Sequence, residues 1–446
     1  MNLSDAGKEP KAISAVGIIA EYNPFHNGHA YQIHKAKQLS GADYCIVVMS
    51  GDFVQRGAPA VFDKYTRTQA ALLGGADLVL ELPPAFAVSS AEDFASCAVS
   101  LLDRLTVVSH LCFGSECGEI KPLMDTARLL CREPGEFRTV LKEELKHGLT
   151  FPQARIKALN CVSRSVPDKS RPADFLSSPN NILGVEYCKA LIRGRSSMTP
   201  VTLSRLGSGY HDTEPSSSRE ASVPGLKGLF PSGKACFSSA SALRKILESP
   251  YLSPDHEKTL LQNIPAPVWE LFKSRSPVFC DDFSPLLTYR LLELQSQNAD
   301  LAAFGDVSGE LAARIRHRIP DFSSFERQIE TLKTRQYTYT RISRSLIHLL
   351  LHITKEDIAC RKGHGYVSYF RVLGFRKDSA CLLKAIKKAA RLPLITKTAD
   401  AANYLSDETL QEFRRDLFCS HIYRSATGQK KGNRSTSEYT QPLIIL

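Results

Sequence analysis

The sequence predicts an α/β protein: a doubly wound parallel sheet followed by a mainly helical, basic region. Three observations carry this. Strand-length apolar runs alternate with helix-length segments from Ala15 to Phe113, strand signals fade after about residue 250, and charge is divided unevenly along the chain. The 446 residues suffice for two or three domains, and 43% hydrophobic with 23% charged residues excludes a disordered chain or a fibre.

In chain order, residues 15–20 (AVGIIA), 44–49 (YCIVVM), 78–82 (LVLEL) and 105–113 (LTVVSHLCF) are the strands. Helices fall between them at 29–39, 64–74 and 91–105, the βαβ order of a parallel sheet. Residues 160–185 and 213–236 are rich in Ser, Pro and Gly, and the second reads as a flexible surface insertion. Further on, 321–335, 339–353 and 378–391 have helical periodicity, the last with Lys384, Lys387, Lys388 and Arg391 along one side. Residues 425–446 read as a polar tail, frayed from Ser425 to Thr440.

Residues 301–446 hold 25 Lys and Arg against 14 Asp and Glu, so the whole net charge of +11 lies there. A neutral part joined to a basic part suggests chemistry in one and a polyanion held by the other, although solvated basic helices would give the same count. No apolar run nears the roughly 18 residues of a membrane span, and the first residues lack the apolar centre of a secretory signal. A cytoplasmic protein with no membrane partner is expected. The 12 cysteines contain no C-x-x-C pair and read as reduced thiols rather than a metal site.

The most informative stretch is EYNPFHNGH, Glu21 to His29, between the first strand and the first helix. Unpaired N–H groups and the helix dipole favour an anion there. Gly28 lets a nucleotide approach the backbone, His26 and His29 can donate to phosphate oxygens, and Asn23-Pro24 sets the turn before them. Later, SSASALRK places Ser239 and Ser241 at a helix start with Arg244 one turn on, hydroxyls and a cation suited to phosphate oxygens. Alone, either motif could be a turn or an N-cap.

His26-Asn27-Gly28-His29 resembles the H-x-G-H signature of the nucleotidyltransferase and class I tRNA-synthetase superfamily, whose members bind ATP and cleave between its α and β phosphates. SSASALRK resembles that superfamily's second element. Over most of residues 13–400 the chain resembles the bacterial tRNA(Met) cytidine acetate ligase family. The blocks that carry this are VGIIAEYNPFHNGHAYQI, SGDFVQRGAPAVFDKYTRTQAAL, GADLVLELPPAFAVSSAEDFA, FGSE, SPNNILGVEY and SRLGSGYHD. The resemblance implies a sheet of the HIGH nucleotidyltransferase type, ATP as co-substrate, and acetate activated as acetyl-adenylate. Acetyl transfer to N4 of the wobble cytidine, position 34, of elongator tRNA(Met) would follow, with AMP and pyrophosphate released. It implies an ATP-binding catalytic unit over 13–250, a tRNA-binding unit over 251–424, and an N-terminal extension over 1–12. Relative to the family, Glu214 to Phe237 is longer and Ser241 replaces a common Thr, which keeps the hydroxyl.

Carried over by position, the ATP site falls on Ile19, Ala20, Glu21, Tyr22, Asn23, Pro24, Phe25, His26, Asn27, Gly28, His29, Ala30, Tyr31 and Gln32, and on Gly114, Asn181 or Asn180, and Arg205. Gly114 lets adenosine approach, Asn181 offers a donor and an acceptor to base or ribose, and Arg205 suits phosphate or adenine. His26, His29 and Arg244 are the expected catalytic groups. For acetate, a cation must offset the charge of ATP, and Arg56 or Lys64 is expected there, with Asp52 orienting and Arg67 nearby. For tRNA, the basic residues Arg341, Arg344, Arg361, Lys362, Arg371, Arg376 and Lys377 alternate with Tyr366, Tyr369, Phe370 and Phe375. The same aromatics could pack as core. Mg2+ is compatible, because ATP carries it. Two other readings share the fold: a nucleotidyltransferase acting on a small metabolite, for which a polyanion-holding region is superfluous, and a non-catalytic RNA-binding protein, which would tolerate loss of the histidines.

Overall fold

The computed structural model describes residues 13–163, 176, 178–204, 220–222, 234–319, 323–428, 430–433 and 436–446. Its strands are β1 (Ala15–Ala20), β2 (Tyr44–Ser50), the hairpin β3 (Phe53–Val54) and β4 (Ala58–Pro59), β5 (Leu78–Leu82), β6 (Val108–Ser115), β7 (Thr199–Ser204), the short pair β8 (Glu220–Ser222) and β9 (Lys234–Cys236), β10 (Phe370–Phe375), β11 (Leu394–Ile395) and β12 (Ile444–Ile445). The main sheet has the order β11-β10-β5-β2-β1-β6-β7, with β12 beside β10. β1, β2, β5, β6 and β7 are mutually parallel, and β10 joins β5 antiparallel. The order reverses at β1, since β2 and β5 extend the sheet one way and β6 and β7 the other. The carboxyl ends of β1 and β6 therefore flank a crevice, the place where open α/β sheets bind ligands.

A sheet covered on both faces needs apolar residues at successive positions, and AVGIIA supplies them. Ala15 and Ile19 join Ile46 and Val48 in one core layer, against α3 (Ala91–Arg104) and α4 (Pro179–Gly194). Val16 and Ile18 join Cys45 and Val47 in the other, against α1 (Asn27–Ser40), α2 (Lys64–Leu73) and α5 (Ala240–Leu247). A third core lies within the helical region, where α6 (Tyr339–Leu350) packs among helices from 284 onward and receives Cys419 and Tyr423 of α7 (Asp407–Thr427).

The chain beyond residue 250 is mainly helical, yet it returns to the sheet three times, as β10, β11 and β12. β10 escapes a reading by pattern because Arg371 and Gly374 interrupt its short apolar run. The described part of this tail is not frayed. Glu438 is wholly buried and Ile444–Ile445 pairs with β10, because the tail's polar groups find partners inside. Of the insertion at 213–236, only the antiparallel β8–β9 pairing belongs to the described residues. All the cysteines are free thiols, and among the described residues no helix is long and apolar enough to cross a membrane.

Candidate active site

A cavity of about 660 Å³ opens at the carboxyl ends of β1 and β6, within the size range of small-molecule sites. Its first wall is the turn into α1. His26 is the N-cap, with extended backbone and a ring Nδ1 that accepts the Gly28 N–H at 3.0 Å. His29 Nδ1 accepts the His26 N–H at 3.2 Å, and the two rings stack 3.8 Å apart. A ring nitrogen that accepts carries no proton, so in the neutral imidazole Nε2 is the donor of each ring, and both residues border the cavity. Capping the helix and setting the tautomer are thus one arrangement.

Gly28 has a further reason to be glycine: a Cβ there would meet Cε1 of His26 at 2.9 Å. Asn27 turns away from the cavity, and its Nδ2 donates to the carbonyls of Cys236 and Gln262. Pro24, Phe25 and Ala30 also fall outside the cavity lining, whereas the rest of residues 19–32 border it. The Asn23–Pro24 peptide is cis, and Asn23 Oδ1 accepts the Val61 N–H at 2.8 Å.

The facing wall is the start of α5. Ser239 caps the helix by accepting the Ala242 N–H, and Arg244 donates to Ser241 Oγ at 3.0 Å and to the Asn23 carbonyl at 2.6 Å. Ser238 Oγ, bordering the cavity, is buried with no hydrogen bond among the described residues. Arg56 also borders the cavity, near Arg244 and Glu21. Burial lowers the pKa of both guanidiniums, opposed by the Glu21 carboxylate. Glu21 Oε1 is itself held by the Gln55 N–H at 2.9 Å. Two positive groups, donor imidazoles and an unsatisfied hydroxyl around one crevice can take a polyphosphate.

Gly114 borders the cavity from β6, as does Asn180 from α4. Asn181 does not: its Oδ1 accepts the N–H groups of Glu116 and Cys117, so it fastens the turn after β6 rather than reading a base. Arg205 lies outside the described residues.

Lys64, Asp52 and Arg67 do not reach the cavity. Lys64 is wholly buried, 2.8 Å from Glu81 and 3.1 Å from Glu438, and donates to Ser420 of α7. Burial and Arg371 press its pKa down, but Glu438 and Glu81 outweigh them and hold it above the ordinary value. Asp52 accepts the Lys64 N–H at 2.8 Å, and burial, only partly offset by Lys64, pushes its pKa up to about 6. Arg67 spends its guanidinium on the carbonyls of Glu21, Ser50, Gly51 and Phe62. Arg56 alone of these cations borders the cavity.

The basic residues expected to hold tRNA divide in the same way. Arg371 is buried against Glu438 and Glu81, and Arg361 against Asp416. Arg344 pairs with Asp306 at 2.5 Å. Arg376 and Lys377 follow β10, which runs antiparallel to β5, and the Arg376 N–H bonds the Asp77 carbonyl just before β5. They sit at the edge of the sheet opposite the cavity. Arg341 is next to Thr340, which borders the cavity, and lies over the Tyr337 ring. Tyr369 and Phe370 are core.

Sequence reasoning missed the third wall, which the helical region supplies through Phe279, Cys280, Asp281, Glu326, Tyr339 and Thr340. The one local trace is Gly57, at φ +80°, where a Cβ would lie 2.3 Å from the Arg344 nitrogen and whose carbonyl accepts from Ser343. That close approach seats α6 against the hairpin after β2. Among the described residues, the one group of three metal-ligand types, Cys360, His364 and Glu408, is exposed and does not border the cavity.

The HIGH Nucleotidyl Transferase family matches residues 13–438. The chain is 35% identical to the tRNA(Met) cytidine acetate ligase of Acetivibrio thermocellus, over 97% of this chain and all of that one. It is 39% identical to that of Thermoanaerobacter sp. strain X514, over 97% and 99%. The crystal structure of apo Thermotoga maritima TmcAL superposes with a TM-score of 0.85 at 30% identity, covering 97% of this chain and 100% of that one. The form bound to alpha-thio ATP gives 0.83 at 29% identity, with the same coverage.

Proposed function

The chain belongs to the tRNA(Met) cytidine acetate ligase family of HIGH nucleotidyltransferases, ATP-dependent enzymes, and from that membership we propose the whole reaction and the residues that serve it. ATP lies along the β1–α1 turn, with adenosine toward Gly114 and Asn180 and the phosphates between His26, His29 and α5. One acetate oxygen attacks the α-phosphorus, and pyrophosphate leaves with the bonding pair. Charge grows on the phosphate oxygens in that step, and the Nε2–H groups of His26 and His29 with Arg244 and Arg56 are placed to meet it. N4 of the wobble cytidine of elongator tRNA(Met) then attacks the acetyl carbonyl and AMP departs. Mg2+ enters as the ion that ATP carries. The reaction belongs to the cytoplasm, where its substrates are.

The observation that carries this reading is the pair of imidazoles fixed through Nδ1 by the α1 cap, on the same cavity as the Ser238–Arg244 turn. The test incubates the protein with ATP, labelled acetate and unmodified tRNA transcripts, beside His29→Ala, followed by nucleoside mass analysis. N4-acetylcytidine in elongator tRNA(Met) alone, lost in the variant, is the expected result. Acetate-dependent release of pyrophosphate without modified tRNA would remove the RNA half of the reading. No ATP turnover would leave a binding protein.

A further inference from the structure

The third wall of the cavity differs in charge from the other two. The first two present imidazoles and guanidiniums beside the carboxylates of Glu21 and Glu248, whereas the third presents carboxylates and hydroxyls with no basic residue among those bordering the cavity: Asp281, Glu326, Tyr339 and Thr340. A triphosphate is repelled by carboxylates that no cation covers, and among the described residues these have partners other than a cation. Tyr339 donates its hydroxyl to Glu326, the Cys280 thiol bonds the same carboxylate, and the Glu326 N–H donates to Asp281 Oδ1 at 2.9 Å. A carboxylate offers about four lone-pair sites, so Glu326 keeps acceptor capacity for a further donor. Phe279 and the Tyr339 ring add aromatic surface.

We propose that this wall is the seat of the acceptor base: an unstacked, amino-bearing pyrimidine lies against Tyr339 and Phe279, and its exocyclic amine donates to the Glu326 carboxylate. Carboxylate acceptors suit the amino group of cytosine and reject the carbonyl of uracil at the same position. Bases are read on enzymes in this way, swung from the stack onto an aromatic face. The assignment rests on the acetyl-transfer reading above. In the step itself, the amine nitrogen forms a bond to the acetyl carbon and the bond from that carbon to the AMP oxygen breaks. AMP leaves with the electron pair, and the amine proton passes to Glu326, then to water. Tyr339 holds the carboxylate at the required place. The division of labour is spatial: the sheet edge makes the adenylate, and the helical region supplies the nucleophile.

The experiment separates the half-reactions in Glu326→Gln, Tyr339→Phe and Glu326→Asp. Acetate-dependent ATP–pyrophosphate exchange reports adenylate formation, and single-turnover acetylation of tRNA reports transfer. Glu326→Gln should leave exchange within about twofold and slow transfer on the order of 10²-fold, as for loss of a general base. Glu326→Asp should recover part of the transfer rate, and Tyr339→Phe should fall between. A loss of exchange that added Mg2+ restores would make the wall a cation site for ATP and overturn the proposal. Equal losses in both half-reactions with lowered thermal stability would make it structural, and unchanged transfer would also overturn it. Failure of the wild type to acetylate any tRNA while exchange persists would instead count against the acetyl-transfer reading.

Discussion

Two neighbouring loops at the carboxyl edge of the sheet, after β1 and after β2, carry the same kind of residue and end in opposite roles. The first, from Glu21 to His29, opens onto the cavity. The second starts on the adjacent strand and turns its hairpin, with Arg56, to the cavity, but its Asp52, Lys64 and Arg67 are sealed, the last two wholly buried. What separates them is the cover. α7 brings Ser420 and Tyr423 over the second loop, and the chain end brings Glu438. A polar residue at a strand's carboxyl end is therefore ambiguous between chemistry and support until its cover is known.

The largest expected effect tests the sealed loop. Lys64→Met leaves Glu81 and Glu438 short of a positive partner in the interior, and breaking a buried ion network from one side costs about 3–5 kcal/mol. Urea denaturation should register that loss, while the molecules still folded keep acetate-dependent pyrophosphate exchange near wild type. A folded Lys64→Met protein with no exchange would return Lys64 to the chemistry and erase the contrast.

His29→Ala is the mirror test. Exchange should fall about 10²–10³-fold, as for loss of one donor to developing charge. Stability should fall by only about 1 kcal/mol, the worth of a helix cap. Lys64 would then answer chiefly to the stability assay and His29 chiefly to exchange.

How much of this was legible in the sequence follows the same division. β1, β2 and β5 and the helices between them were readable because strand and helix periods are local, and SSASALRK was readable as a helix start because capping is local. The first loop could be read because its histidines act within three residues of each other. The sealing of Lys64 depends on Glu438, and the third wall depends on Glu326 and Tyr339 meeting a strand edge far back in the chain. No window of sequence contains those distances. Asn181 shows the same limit in reverse, since it follows the expected motif but spends its side chain on the turn at Glu116.

A third prediction uses pH. Lys64, Arg371 and Arg424 hold the Glu438 pKa well below its ordinary 4.5, against the opposing effect of burial. A carboxyl depressed on folding contributes stability that is present above its unfolded pKa and lost as pH falls toward its folded one. Below pH 4.5 the stability difference between wild type and Glu438→Gln should therefore shrink, by about 1.4 kcal/mol per pH unit. Equilibrium unfolding of both proteins from pH 6 down to the acid limit of each, on the order of pH 3, measures it. A constant difference would mean that Glu438 is not the group that ties the chain end to the sheet.

The smallest effect extends the contrast to the RNA. Arg341 adjoins the third wall, whereas Arg376 and Lys377 stand at the opposite edge of the sheet and Arg371 is buried. If an anticodon loop enters the cavity, its flanking phosphates pass Arg341 first. Arg341→Ala should then weaken tRNA binding several-fold and reduce the slope of log affinity against log salt by about one. Lys377→Ala should leave that slope unchanged, because a charge behind the sheet lies beyond the roughly 10 Å over which 0.1 M salt lets it act. Filter binding across a salt series compares the two directly. The reverse ranking would place the tRNA body across the far edge, and the basic last third of the chain would then act as a strap around the sheet rather than as a collar at its mouth.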